Sequence, residues 1–141
     1  MTVPPLSQRD PRWRYKKLGF SRLSIGGYGC TLTCLTMLIN KVEHRSYTVA
    51  EVNDRLMTLG NYHATKNPKG AFSGALLVWS NVERVYPSLK FNWRSYNYDN
   101  VRVAWYVYFK KMPVMVEVNG AKIGAPRHWI LFTGQGKAND P

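Results

Sequence analysis

Cysteine is scarce in this chain: Cys30 and Cys34 are the only two. They lie one helical turn apart in an apolar run, and a bridge between neighbouring turns of one helix would strain the backbone. Disulfide stapling is thereby excluded as what holds the fold, and each thiol is left as core or as chemistry. Histidine is nearly as rare, with His44, His63 and His128 the three present. Cysteines at this spacing with scattered histidines form no zinc ligand set, so no metal is expected. The glycine-dense stretch Ser24–Gly29 does not follow a strand, which excludes a phosphate-cradling loop, and no cofactor is expected. No apolar run is long enough to span a bilayer. Met1–Leu6 lacks the basic segment and apolar core of a secretory signal. Repeats, low-complexity tracts and linkers are absent too.

What is present is bulky and basic. Hydrophobic residues make up 45% of the 141, with 9 Tyr, 5 Trp and 5 Phe. A chain near this length buries roughly two thirds of its unfolded surface, enough for a core, and a single domain over residues 1–141 is expected. Lys and Arg number 20 against 8 Asp and Glu, a net charge of +12. Such an excess speaks to association and not to fold. It points to an anionic partner (nucleic acid, acidic lipid or a polyanionic cell wall) or serves solubility alone.

Residues 1–29, rich in Pro, Gly, Arg and Ser, read as an extended arm. From Cys30 to Asn40 the apolar residues recur at helical spacing, as in a buried helix that Asn40 can end. Thr48 and Glu51 form a capping box for a helix to about Leu59, with Gly60 where a C-terminal glycine belongs. Residues 61–73, including Asn67–Gly70, read as polar and flexible. Ala75–Tyr86 reads as a third helix stopped by Pro87. Lys90–Tyr96 alternates as a strand does. Asp99 or Asn100 can cap a helix through Lys110 and Lys111. Pro113–Val118 and Arg127–Thr133 read as strands, with a turn at Asn119-Gly120. Helices early and strands late give an α+β domain, N-terminal helices on an antiparallel sheet.

Four residues carry candidate chemistry. Cys30 follows Gly29 at the start of a helix, where free N–H groups and the positive dipole end stabilise a thiolate and offer donors to an oxyanion. Gly29 would let a substrate backbone approach. The competing reading of Cys30 is a small core residue. His128 begins an apolar strand beside Trp129, whose indole can shield it from water, whereas His44 and His63 lie in polar stretches. The base is therefore His128 if there is one, and otherwise it is a histidine at a strand end. Asp140, returning across a turn at Gly134–Gly136, can accept from the second ring nitrogen, or it belongs to a polar tail. Gln8 can donate to an oxyanion, or it is an exposed residue of the arm. Cys34, deeper in the helix, reads as core.

Taken together, Val3–Trp13 with its Gln8-Arg-Asp10-Pro-Arg-Trp13 pattern, Leu18-Gly19, Ser24–Cys30, His128-Trp129 and Asp140-Pro141 resemble the papain-like cysteine peptidases related to bacteriocin leader peptidases. The likeness runs from Val3 to Pro141 and is carried by the two ends. It implies a papain-like fold and a Cys-His-Asp triad of Cys30, His128 and Asp140, with Gln8 at the oxyanion hole and Tyr28, Gly29 and Trp129 touching substrate. Relatives usually carry a further strand or loop after this Asp-Pro, so Asp140 is expected to be weakly held. The expected activity is hydrolysis of peptide bonds by a monomer. Its substrate would be peptidoglycan, as for a phage or bacterial lysin that reaches the wall after release or on a phage particle, or else a leader or structural protein. A catalytically inactive basic module for cell wall or nucleic acid is the reading of another class, since Trp13–Lys17 interleaves rings and cations.

Overall fold

The computed structural model describes residues 2–60, 62–66 and 72–141, with backbone alone at 63–66 and 72–75. It is a mixed α+β structure with antiparallel sheets, as the order of elements predicts. The N-terminal arm is wound and not extended. Residues 8–24 run through successive turns, fixed where the Trp13 indole N–H donates to Ser7 O at 2.9 Å and Gly19 N–H donates to Asn53 Oδ1 at 2.8 Å. A buried indole cannot leave its N–H unpaired without cost, so the ring and the arm fold together.

Helix α1 (Ile25–Tyr28) is capped by Ser24, whose hydroxyl accepts from Gly27 N–H. Helix α2 (Cys30–Glu43) runs past Asn40 and closes on His44 in the left-handed region at φ 53°. Asn40 does not end it: its side chain brackets Tyr47 instead, donating to the carbonyl at 2.9 Å and accepting from the N–H at 2.8 Å. Helix α3 (Val49–Thr58) starts at the predicted capping box, and Gly60 follows its end at φ 67°. In that box Thr48 N–H donates to Glu51 Oε2 at 2.7 Å, while Glu51 N–H donates to Thr48 Oγ1 at 3.2 Å.

The Thr48 backbone N–H, and then its hydroxyl, hold the Glu51 carboxyl below its ordinary value. A carboxylate with a lower folded value stabilises the fold above its unfolded pKa and stops doing so as pH falls through the folded one. Loss of the hydroxyl that accepts from Glu51 N–H should make Thr48→Ala cost about 1 kcal/mol at pH 7. The gap from wild type should narrow in acid, as urea midpoints at both pH values would report.

Two predicted elements are corrected. The third helix is shorter than Ala75–Tyr86. Strand β2 (Phe72–Leu77) pairs antiparallel with β1 (Tyr62–Lys66), from Tyr62 opposite Leu77, and helix α4 covers only Trp79–Val85. A short apolar run such as Ala75–Val78 fits either geometry, and the pairing partner decided it. The same hairpin takes in part of the 61–73 stretch read as flexible, whereas Asn67–Gly70 lie outside the described residues. The second correction is Lys90–Tyr96, which carries no ladder bonds among the described residues. Its rings meet cations instead, Arg102 over Trp93 at 5.2 Å and Arg94 over Tyr96 at 4.9 Å.

Helix α5 (Asn100–Ala104) is capped by Asp99 and continues as a π-helical turn, Trp105–Phe109. The sheet that carries the late strands has the order β3 (Val114–Gly120), β4 (Ala125–Gly134), β5 (Lys137–Asn139). Asn119-Gly120 is not a two-residue turn. β3 continues through Gly120, opposite Ala125, and a 3-10 turn at Ala121–Ile123 makes the reversal. Strand β5 was not expected. It folds back across Gln135 and Gly136 so that Asn139 lies opposite Leu131.

Helix α2 packs on β4: Cys34, Met37 and Leu131 are fully buried together with Val3. A second cluster joins the arm to the helices through Trp13, Leu18, Ile25, Leu32 and Leu35, and on to Val49 and Leu56 of α3. No helix among the described residues is long and apolar enough to cross a membrane.

Candidate active site

Cys30 is the first residue of α2 and is partly exposed. Thr33 N–H is the first of the helix to reach a backbone acceptor, Gly29 O at 2.8 Å. The amides of Cys30, Thr31 and Leu32 precede it and have no intrahelical partner. Gly29 caps the helix with no side-chain bond. A Cβ there would lie 2.5 Å from Ile25 O and 2.8 Å from Ile25 Cγ2. The glycine is thus required by the α1–α2 junction itself, a reason separate from substrate access.

His128 sits on β4 opposite Val118 and is 7% exposed. Its Nε2 lies 2.6 Å from Asp140 Oδ1. With Nε2 donating to the carboxylate, a neutral ring keeps its lone pair on Nδ1, the form a general base requires. Asp140 is not loosely held. It directly follows β5, and Asn139 Nδ2 donates to Val3 O at 2.9 Å, tying the C-terminal strand to the N-terminal arm. The Asp140 side chain is 64% exposed against 10% for His128, so the pair has a wet face and a dry one. Gly120, read from sequence as a turn residue, has a role at this site. A Cβ there would meet Ala125 O at 2.5 Å and His128 Cβ at 3.2 Å, so glycine lets β3 pass close to Ala125 and to the base of the His128 side chain.

No hydrogen bond joins Cys30 Sγ to the His128 ring among the described residues. The two elements are linked by Cys34, one turn further along α2, whose Sγ donates to Trp129 O at 3.4 Å. Burial pushes the Cys34 thiol far up, and the charges of Cys30 and Asp140 push it further in the same direction. Cys34 therefore stays a neutral donor within electrostatic reach of both candidate residues, consistent with its reading as core.

Gln8 is buried, which removes the exposed-arm alternative. Its Nε2 donates to Gly26 O at 2.9 Å, fixing the amide against α1 and leaving one N–H free. Its Oε1 is buried without a partner. Tyr28 stands 61% exposed at the end of α1.

Trp129 is turned away from the imidazole, because neighbouring side chains of a strand point to opposite faces. Its indole lies 5.7 Å from that of Trp79, a partner no sequence pattern singled out. Together with Trp79 and Trp93 it lines a groove of about 850 Å³ along β3. Cys30, His128, Asp140 and Gln8 do not line that groove.

Comparison of the chain with protein-family models, with curated proteins and with solved structures finds no match. The chemical reading therefore rests on the residues and their geometry.

Proposed function

We propose that the chain is a cysteine peptidase of papain-like fold, with Cys30 as nucleophile and His128 as base, acting on peptide crosslinks of the bacterial cell wall. The observation that carries this reading is the buried His128 with Nε2 on Asp140 at 2.6 Å. Such a pair holds one tautomer, keeps Nδ1 available and steadies the imidazolium. In the reaction Nδ1 takes the Cys30 proton, and the sulfur attacks the amide carbonyl. The Cys30 backbone N–H and the free N–H of Gln8 hold the oxyanion. The imidazolium then protonates the departing amine, and water activated at Nδ1 releases the acyl group and restores the thiol. Cys30 approaches Nδ1 on substrate binding, since catalytic hydrogen bonds often tighten only then.

The net charge of +12 favours a polyanionic substrate surface, where a cationic enzyme concentrates. Clearing of a suspension of purified cell walls, with release of new amino termini, is the expected result. Cleavage of an unfolded protein without clearing would replace the cell wall by a leader or structural protein as substrate. The stacking of Arg14 over Tyr15 at 4.5 Å favours a second reading, an inactive basic module binding wall polymer or nucleic acid. Retention on either polymer with no hydrolysis of walls or protein would select it.

A further inference from the structure

The stretch Asn100–Phe109 is apolar on both sides. Val103 and Val107 turn inward and are 4% and 3% exposed. On the outward side Val101, Trp105 and Phe109, spaced four residues apart, are 81%, 49% and 72% exposed. Trp105 and Phe109 stack at 5.0 Å between ring centroids, which fuses them into one apolar ridge. A helix that is hydrophobic all round is ordinarily covered, and a contiguous apolar patch on a surface marks an interaction site. Nothing among the described residues covers this one.

The rim says what does. Lys110 and Lys111 close the C-terminal end of the ridge, and Lys110 Nζ sits 5.7 Å from the Trp105 ring. Arg102 flanks the ridge, partly offset by Asp99 at 3.7 Å. The preceding segment adds Tyr96 and Tyr98, 89% and 67% exposed, with Arg94 over Tyr96. Apolar residues backed by Trp and Tyr and bordered by cations match a bilayer interface carrying anionic headgroups. A second copy of the chain fits poorly, because a pair joined on this face would press two sets of lysines together on chains of +12 each.

We propose that this face, from Val101 to Lys111, binds the surface of an anionic lipid bilayer, with the rings seated at headgroup level and the chain lying on the membrane. The proposal is independent of the peptidase reading, and its test uses the Cys30→Ala protein throughout so that hydrolysis plays no part. Sedimentation is measured with vesicles of phosphatidylcholine, with and without phosphatidylglycerol. Binding to the anionic vesicles is expected, weaker by about tenfold or more on phosphatidylcholine alone. Val101→Asp and Phe109→Ser, at exposed positions that leave the inward face intact, should each weaken binding by about tenfold. The pair Lys110→Glu and Lys111→Glu should erase the preference for phosphatidylglycerol. If the lysine reversals abolish binding while Val101→Asp and Phe109→Ser do not change it, charge alone is responsible and the proposal fails. It fails equally if vesicles are ignored while the protein forms a dimer that Val101→Asp dissolves, or if only an acidic protein occupies the face.

Discussion

If the proposed peptidase reading holds, replacing Cys30 with alanine should abolish hydrolysis of cell walls, a loss of at least about 10⁴-fold, because the step that needs a covalent bond to sulfur then has no nucleophile. The basic surface and the proposed oxyanion donors survive the change, so the protein should still sediment with walls. Cys34→Ala is the matched control. That thiol is buried, pushed toward the neutral form and engaged with Trp129 O. Its loss should leave turnover within a few-fold of wild type while lowering stability. Iodoacetamide separates the two sulfurs directly, since the reagent reaches a partly exposed thiol and not a buried one. Labelling confined to Cys34, or wall hydrolysis that persists in the Cys30→Ala protein, would remove Cys30 from the mechanism.

Asp140→Ala should fall between these extremes. It removes the acceptor on Nε2 and frees the ring to take the wrong tautomer. Water can reach the vacated place, because the carboxylate is 64% exposed. A drop of about 10²-fold in kcat is therefore expected, at the low end for acid–base catalysis.

The features legible in the sequence are those fixed by neighbours in the chain. The capping box at Thr48 and Glu51 is one, because both partners lie within a single turn. The start of α2 at Cys30 is another, because Gly29 breaks the backbone there. From the residues alone, the approach of Asp140 to His128 is only what a turn at Gly134–Gly136 would allow, and the resemblance to papain-like peptidases is what pairs them. Strand β5 makes the approach and Asn139 anchors it on Val3, a contact between the two ends of the chain that no local pattern encodes. Close packing stayed hidden for the same reason. Gly120 reads as a turn residue, yet His128 and Ala125 set its size limit. Alternation in Lys90–Tyr96 predicts a strand that does not form, since a strand also needs an edge to pair with. The Ala75–Tyr86 helix failed in the converse way, its first residues claimed by pairing with β1.

The largest loss of stability is expected from Trp13→Ala. The indole is 2% exposed and packs among Leu18, Ile25 and Leu32, where arm and helices meet. Removing so large a buried side chain costs about 3–5 kcal/mol when the surroundings cannot collapse into the space. The variant also strips Ser7 O of the indole N–H it accepts. Against a typical total of about 5–15 kcal/mol for a domain, such a loss is a large share of the stability. A urea midpoint close to wild type would mean that the arm contributes little to the core. The consequence for the site is tested with a milder change. Trp13→Phe keeps most of the apolar volume and loses the N–H, leaving a folded protein whose residues 7–8 are less firmly held. Gln8 sits next to that lost bond, and its own bond to Gly26 O, with the Asp10 N–H bond to Ser7 O, then carries the positioning. If Gln8 serves the oxyanion, Trp13→Phe should lower kcat by a few-fold with KM nearly unchanged, because the donor matters only once charge has developed. Gln8→Ala should lower kcat further, by about 10²-fold. Adding Trp13→Phe to Gln8→Ala should then have no additional effect on kcat, since the residue it positions is gone.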